Sequence, residues 1–213
     1  MTDIDRGLVG KLREQARGRG TTLPRLLGAA VAMSVKDLAR NGVRVGFVTA
    51  NRHLPELHRT VGEIEDTLPM RLAMTPDMGW DEVVGRFDRA VSDAYDRQVT
   101  LSAVQSLVHE KLTDSNHHLV DVTVNCRDYQ RHPAGGSGDP ALFDELTLGM
   151  DGRRLRIAHG AGLMGALNFQ FDFPSSGELH VSLIVNIAAL PIDVARAAGR
   201  RLSTGLGELA GSR

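Results

Sequence analysis

The chain has 213 residues, of which 42% are hydrophobic and 24% charged, and its formal net charge at neutral pH is −1. So even a balance leaves no electrostatic footprint for nucleic acid or an anionic membrane. Six Phe, two Tyr and one Trp are too few for a base-stacking platform, and the lone Cys126 excludes an internal disulfide.

The opening Met1-Thr2-Asp3 reads as a natural start. No basic segment followed by an apolar run comes after it, so no signal peptide is expected. No stretch reaches the length of a membrane span. With one unpaired cysteine, these features read as a cytoplasmic protein in a reducing compartment. The length suffices for an independent core.

Ile4, Leu8, Val9, Leu12 and Ala16 recur at helical spacing and predict a first amphipathic helix ending at Gly18 and Gly20. Thr22 caps a second helix with Pro24 in its first turn. Its stripe of Leu23, Leu26, Leu27, Ala30, Val31 and Val35 is widened by Ala29, Ala32 and Met33, so it should be buried on several sides. Asn41-Gly42 ends it and opens a strand from Val43 to Thr49.

Trp80, Val83, Val84, Phe87, Val91 and Ala94 give the clearest amphipathic helix, and another is expected from Leu101 to Lys111. Three strands follow by alternation. Val120, Val122, Val124 and Cys126 mark the first, Leu167, Phe169, Phe171 and Phe173 the second, and Leu179, Val181, Leu183 and Val185 the third. A last helix covers Ile192 to Leu209. Arg131 to Pro140 reads as a mobile loop. Helices first, then mostly antiparallel strands, then a helix describe an α/β two-layer sandwich with a mixed, largely antiparallel sheet and flanking helices. With no repeat or linker, residues 1–213 are read as one unit.

The residues themselves name no catalytic group. The eight His match no zinc spacing, so no metal site is expected. His159-Gly160-Ala161-Gly162 lacks the strand–loop–helix context of a phosphate loop, and no Gly-x-Ser-x-Gly elbow is present.

A set of motifs carries a family resemblance. The helix pair from Leu12 to Leu38 comes first, followed by Val45-Gly46-Phe47-Val48-Thr49-Ala50-Asn51-Arg52. Val61-Gly62-Glu63-Ile64-Glu65-Asp66-Thr67-Leu68-Pro69-Met70-Arg71 looks like Ile-Gly-x-Phe-Val-Asn-Thr-Leu-x-x-Arg, with Ile64, Glu65 and Asp66 in place of Phe-Val-Asn. A closing Val185-Asn186-Ile187 strand leads into Pro191-Ile192-Asp193. Gln98 stands alone where His-Gln-Asp-x-Pro-Phe-Glu is usual, and Ser115 and Leu119 are all that remain of the next segment. This order resembles the C-terminal lobe of a nonribosomal peptide synthetase condensation domain, half of a chloramphenicol-acetyltransferase-like fold in the CoA-dependent acyltransferase superfamily.

The resemblance implies an acyl-transfer or amide-forming site in natural-product and antibiotic biosynthesis. There an amine or hydroxyl attacks a thioester on the phosphopantetheine arm of a carrier protein, with no intrinsic cofactor. The family's catalytic His-His-x-x-x-Asp-Gly lies in the other lobe. His117-His118-Leu119-Val120-Asp121 imitates it one residue short and without the Gly, and reads as two polar residues at a strand start. The expected partners are therefore an N-terminal condensation lobe and a carrier protein, with no nucleic acid or membrane.

The substrate-channel residues implied are Thr49, Asn51, Arg52, Asp121, Thr123 and Asn125. Two readings stay open at each group. Asn51 and Arg52 line a tunnel, or they cap a strand and hold a loop by an ion pair. Asp121, Thr123 and Asn125 face the lobe interface, or they are the solvated side of a sheet, and Asn168, Gln170 and Asp172 follow the same argument. Two alternatives to the split enzyme stand beside it: a lobe repurposed as a self-contained cyclase, covering its apolar interface as a homodimer, or a noncatalytic carrier-protein docking module.

Overall fold

A computed structural model of the chain describes residues 2–38, 42–49, 65–75, 77–97, 104, 119–128, 156–159, 165–174 and 177–211. Asp5 is extended, with ψ 157°, and its carboxylate accepts the Leu8 N–H at 2.9 Å, so helix α1 runs Arg6–Gly18. Ile4 therefore lies upstream of the helix that its spacing suggested. It closes a three-residue strand, β1 (Thr2–Ile4), beside Leu179. Gly20, at φ +67°, turns the chain, and the Thr22 side chain caps α2 (Leu23–Val35) with Pro24 in the first turn, as expected.

The expected strands are β2 (Val43–Thr49), after the Asn41-Gly42 turn, and, from alternation, β4 (Val120–Asp128), β6 (Gly165–Phe173) and β7 (Leu179–Val185). Two more were not foreseen: β3 (Asp66–Leu72) and β5 (Arg156–His159). They join one mixed sheet in the order β1-β7-β6-β4-β2-β3, with β5 also pairing with β7. Among the described residues antiparallel and parallel pairings are equal in number. β1–β7, β2–β3 and β6–β7 are antiparallel, but β2–β4, β4–β6 and β5–β7 are parallel. Alternation of residue types reports which face a side chain takes and not which way a strand runs. β7 stops at Val185 because Asn186 starts a turn, its side chain accepting the Ala188 N–H and its carbonyl the Leu190 N–H. Helices α3 (Trp80–Arg97) and α4 (Ile192–Gly211) match the remaining expectations. The helix expected from Leu101 to Lys111 lies outside the described residues apart from Val104.

One sheet face is apolar. In register across it stand Met70, Val45, Val122, Leu167 and Val185, then Leu68, Phe47, Val124, Phe169 and Leu183. α2 packs on this face over β2 and β4, with α1, α3 and α4 around it. Nine of its 13 residues are buried, as an almost wholly apolar helix requires. Gly28 is the close-approach point: a Cβ there would meet Phe87 Cζ at 2.2 Å. Phe87 in turn meets Phe47 edge to face, ring centroids 5.7 Å apart. Gly205 of α4 similarly admits the Trp80 ring, whose indole N–H donates to Glu208 at 3.1 Å.

Polar ties fix the helices. Asp88 of α3 accepts the Thr21 hydroxyl at 2.7 Å and the Arg25 guanidinium at 2.9 Å, joining the α1–α2 turn to α3. Arg201 donates to the Ser34 carbonyl near the end of α2 at 2.6 Å.

Gly28→Ala is expected to destabilise the chain by about 1–3 kcal/mol through overpacking against Phe87. On the same test Gly10→Ala in α1, with nothing within 4 Å of the added atom, stabilises it by up to about 1 kcal/mol. Urea unfolding of the two variants measures both.

Partial burial of Asp88 opposes its ionisation, but the Thr21 hydroxyl and Arg25 together hold its carboxyl below the usual range. A depressed folded-state value adds stability above the unfolded pKa, and that stability is lost as pH falls through the folded one. Asp88→Asn should therefore cost its full destabilisation above about pH 5 and progressively less as pH falls below about 4, the unfolded value, read as unfolding midpoints across that range.

Candidate functional site

β2, β4 and β6 run parallel, so their carboxyl ends form one rim, the usual place for a ligand crevice in such sheets. Thr49 is the last residue of β2 and lies opposite Asp66, the first of β3. Thr49 has the parity of Val43, Val45 and Phe47, so it faces the helix layer and is 8% exposed. There its hydroxyl lies 2.5 Å from the Tyr95 hydroxyl of α3. Asp66 turns one carboxylate oxygen back to its neighbour's Thr67 N–H, at 2.6 Å.

Asp121, Thr123 and Asn125 form a row on the other face of the sheet, separated from Thr49 by the sheet itself. Asp121 grips Arg44: one oxygen accepts the Arg44 backbone N–H at 2.8 Å, the other its guanidinium at 2.5 Å and 3.1 Å. The hydrogen bonds to Asp121 outweigh desolvation and raise the Arg44 pKa, keeping the guanidinium charged. Thr123 is only 2% exposed and lies beside Gly46, where a Cβ would come within 3.1 Å of its methyl group. Asn125 is half-buried and pairs in register with Gln170.

That face is therefore a built polar layer. On the next row Arg127 forms a two-pronged ion pair with Asp172, at 2.7 Å and 2.9 Å, and reaches Gln170 at 3.2 Å. Asn168, opposite Thr123, holds a buried side-chain oxygen without a hydrogen-bond partner among the described residues. Beside the outer edge of β3 a cavity of about 460 Å³ is lined by Pro69, Met70, Arg71, Asp93, Ala94 and Arg97, with Ala90 and Val104.

Asn51, Arg52, His117, His118 and the Arg131–Pro140 loop lie outside the described residues. Among the described residues no cluster of three His, Cys, Asp or Glu is placed to hold a metal ion, and no helix is long and apolar enough to cross a membrane. Tyr95, Arg44 and Arg127 were not foreseen as members of the polar constellations. Tyr95 had a signal, since it follows Phe87 and Val91 at intervals of four on the inward stripe of α3. The cross-strand partners Arg44 and Arg127 had none, because register sets them.

Cys126 is partly covered and packs against the core. Burial first, and the Asp172 carboxylate second, push its thiol pKa far above the usual range. The thiolate is the reactive form, so the raised pKa slows Cys126 as a nucleophile near neutrality. In the folded chain it should react with a disulfide reagent at pH 8 at least tenfold more slowly than in denaturant, followed by release of the coloured thiol; equal rates would show an open thiolate.

The family model described as Condensation domain matches residues 1–152, more than two thirds of the chain. The isonitrile lipopeptide synthase of Mycobacterium tuberculosis (strain ATCC 25618 / H37Rv) is 26% identical over 208 residues, covering 91% of this chain and 8% of that protein. The X-domain from teicoplanin biosynthesis superposes with a TM-score of 0.69 at 21% identity, covering 98% of this chain and 46% of that one. It is also known in complex with OxyB. The condensation domain for chain release from the enacyloxin polyketide synthase gives a TM-score of 0.71 at 15% identity, over 98% of this chain and 40% of that one. The chain thus spans less than half of these solved relatives and a small part of the synthase.

Proposed function

This chain belongs to the condensation-domain family of natural-product biosynthesis, and we propose that it is the C-terminal lobe of a condensation-type acyltransferase. An N-terminal lobe outside these 213 residues would supply the catalytic His. The observation that carries the reading is the match over nearly the whole chain to less than half of each solved relative, in a sequence that contains no His-His-x-x-x-Asp-Gly.

In this reading the carboxyl rim of β2, β4 and β6 is one wall of the site, and Asn51 and Arg52 come two and three residues after Thr49 in the sequence. Their side-chain types suit the load. An amide donates to and accepts from the amides of a phosphopantetheine arm, and a guanidinium offers a planar fork to its phosphate. The arm is a substrate delivered by a carrier protein, and its thioester is the bond that breaks. The nucleophile's proton passes to the His of the other lobe, which must stand within hydrogen-bond reach of it. This lobe contributes position and exclusion of water. The polar row Asp121, Thr123 and Asn125 lies on the opposite sheet face from Thr49; its members engage Arg44 and the neighbouring strands, and we propose that they brace the wall from behind.

Mixed with an N-terminal lobe bearing His-His-x-x-x-Asp-Gly and an acyl-loaded carrier protein, the chain is expected to support amide or ester formation. Alone it is expected to give none. Asn51→Ala with Arg52→Ala should lower turnover at least tenfold while the lobes still associate, followed by mass spectrometry of the carrier-bound product. Turnover by the chain alone would point instead to a self-contained enzyme. Full turnover by the double variant would remove both residues from the channel.

A further inference from the structure

The charge of the chain is even in total but uneven in place. Residues 6–19 hold five cations, Arg6, Lys11, Arg13, Arg17 and Arg19, against the single acid Glu14, in a chain of formal net charge −1. Val9, Leu12 and Ala16 turn the inner side of α1 to the core. At about 100° per residue Arg6, Arg13 and Arg17 fall within about 40° of one another, on one flank of that buried stripe, and about 16 Å of helix separates the first from the last. All three are exposed.

Helix stability alone would choose other residues here. Arg6 stands in the first turn, where the positive end of the helix dipole favours an acid, and that turn holds none. Arg13 and Arg17 are like charges one turn apart, an unfavourable pair. Gly10 lies between Arg6 and Arg13, a weak helix former with nothing within 4 Å of an added Cβ. Elsewhere the chain pairs its arginines: Arg19, Arg25, Arg44, Arg86, Arg127 and Arg196 are each in an ion pair. Among the described residues Arg6, Arg13 and Arg17 have no such partner. Arg6 instead lies along the turn between β6 and β7, where a Cβ on Gly177 would sit 3.5 Å from its Cδ and Nε.

The surroundings of the stripe select the anion. Its exposed neighbours Gly7, Gly10, Glu14 and Gly18 offer no apolar side chain to insert into a lipid surface and no ring to stack on a base. Glu14 would repel the continuous charge of a polyphosphate backbone. Discrete carboxylates suit the stripe, since guanidiniums take them two-pronged. Arg13 and Arg17 repeat the spacing of acids four residues apart on a facing helix. We propose that this flank of α1 is a docking surface for an acidic helical segment of another protein. The proposal goes beyond the acyl-transfer reading and does not depend on it.

Poly-L-glutamate is the probe, titrated against the full chain at neutral pH and low ionic strength. The wild type should bind it, and added salt should weaken the binding. Arg6→Gln with Arg13→Gln should lower the affinity at least fivefold. Lys11→Gln with Arg89→Gln removes the same charge from the other flank of α1 and from α3, and should lower it less than twofold. The urea midpoints of Arg6→Gln and Arg13→Gln should equal or exceed that of the wild type, because each removes an electrostatic cost. No binding by the wild type overturns the proposal, as does an equal loss in both pairs. A lower urea midpoint in either single variant also overturns it, by showing that the arginines serve the fold. Tighter binding to phosphatidylglycerol vesicles or to duplex DNA than to polyglutamate overturns the assignment to an acidic protein.

Discussion

The absence of a side chain at Gly28 is the constraint on which the two layers depend. α2 lies against β2 and β4 and is flanked by α1, α3 and α4, so every other layer element takes its position from it. A helix in that place must be thin on at least one side. Gly28 lets Phe87 of α3 come close enough to reach past the helix to Phe47 on the sheet. Glycine weakens a helix interior by about 1 kcal/mol, and the contact it allows returns more by burying a Phe completely. The distance between α3 and the sheet, and with it the height at which Tyr95 meets Thr49, follows from that single contact.

The two sheet faces divide the labour. The apolar face holds the helices. The other is sewn by cross-strand pairs, Arg44 with Asp121 toward the beginning of the parallel strands and Arg127 with Asp172 toward their ends. Each pair joins strands far apart in sequence, so the charges act as register marks: a slip of β4 by one residue would turn both to the wrong face. Partly exposed pairs of this kind add little net stability, and their contribution is selectivity among registers. Thr49 belongs to neither system. It is a polar residue at a core-facing position, tolerated because a second hydroxyl waits for it.

Much of this organisation was legible in the residues. Period 3.6 gave α1 to α4, and period two gave β4, β6 and β7, because each of these elements buries one face and the burial writes its own spacing; β2 was marked by the Asn41-Gly42 turn ahead of it. β3 shows the same alternation in Leu68, Met70 and Leu72, but Pro69 obscured it. A proline is acceptable there since β3 has a neighbour on only one side among the described residues. β1 and β5 are too short to carry a pattern, and only the outer edge of β7 makes them strands. Strand direction left no trace either, because a side chain alternates identically in parallel and antiparallel sheets. For the site, the sequence reading grouped Thr49 with Asp121, Thr123 and Asn125, which the strand register sets on opposite faces of the sheet, and the bond of Thr49 to Tyr95 depends on how α3 crosses the sheet.

The pairing of β1 with β7 ties residues 2–4 to residues 179–181. Closing a loop of that span is an entropic cost met only once both ends exist. During synthesis α1 and α2 leave the ribosome long before the strand that anchors the beginning of the chain, so β1 has nothing to pair with until β7 has emerged. The β2–β3 pair brings together residues closer in sequence, and β1 joins the sheet only after β7 is available to it. Residues 2–4 are thus among the last of the sheet to be seated, however early they are made.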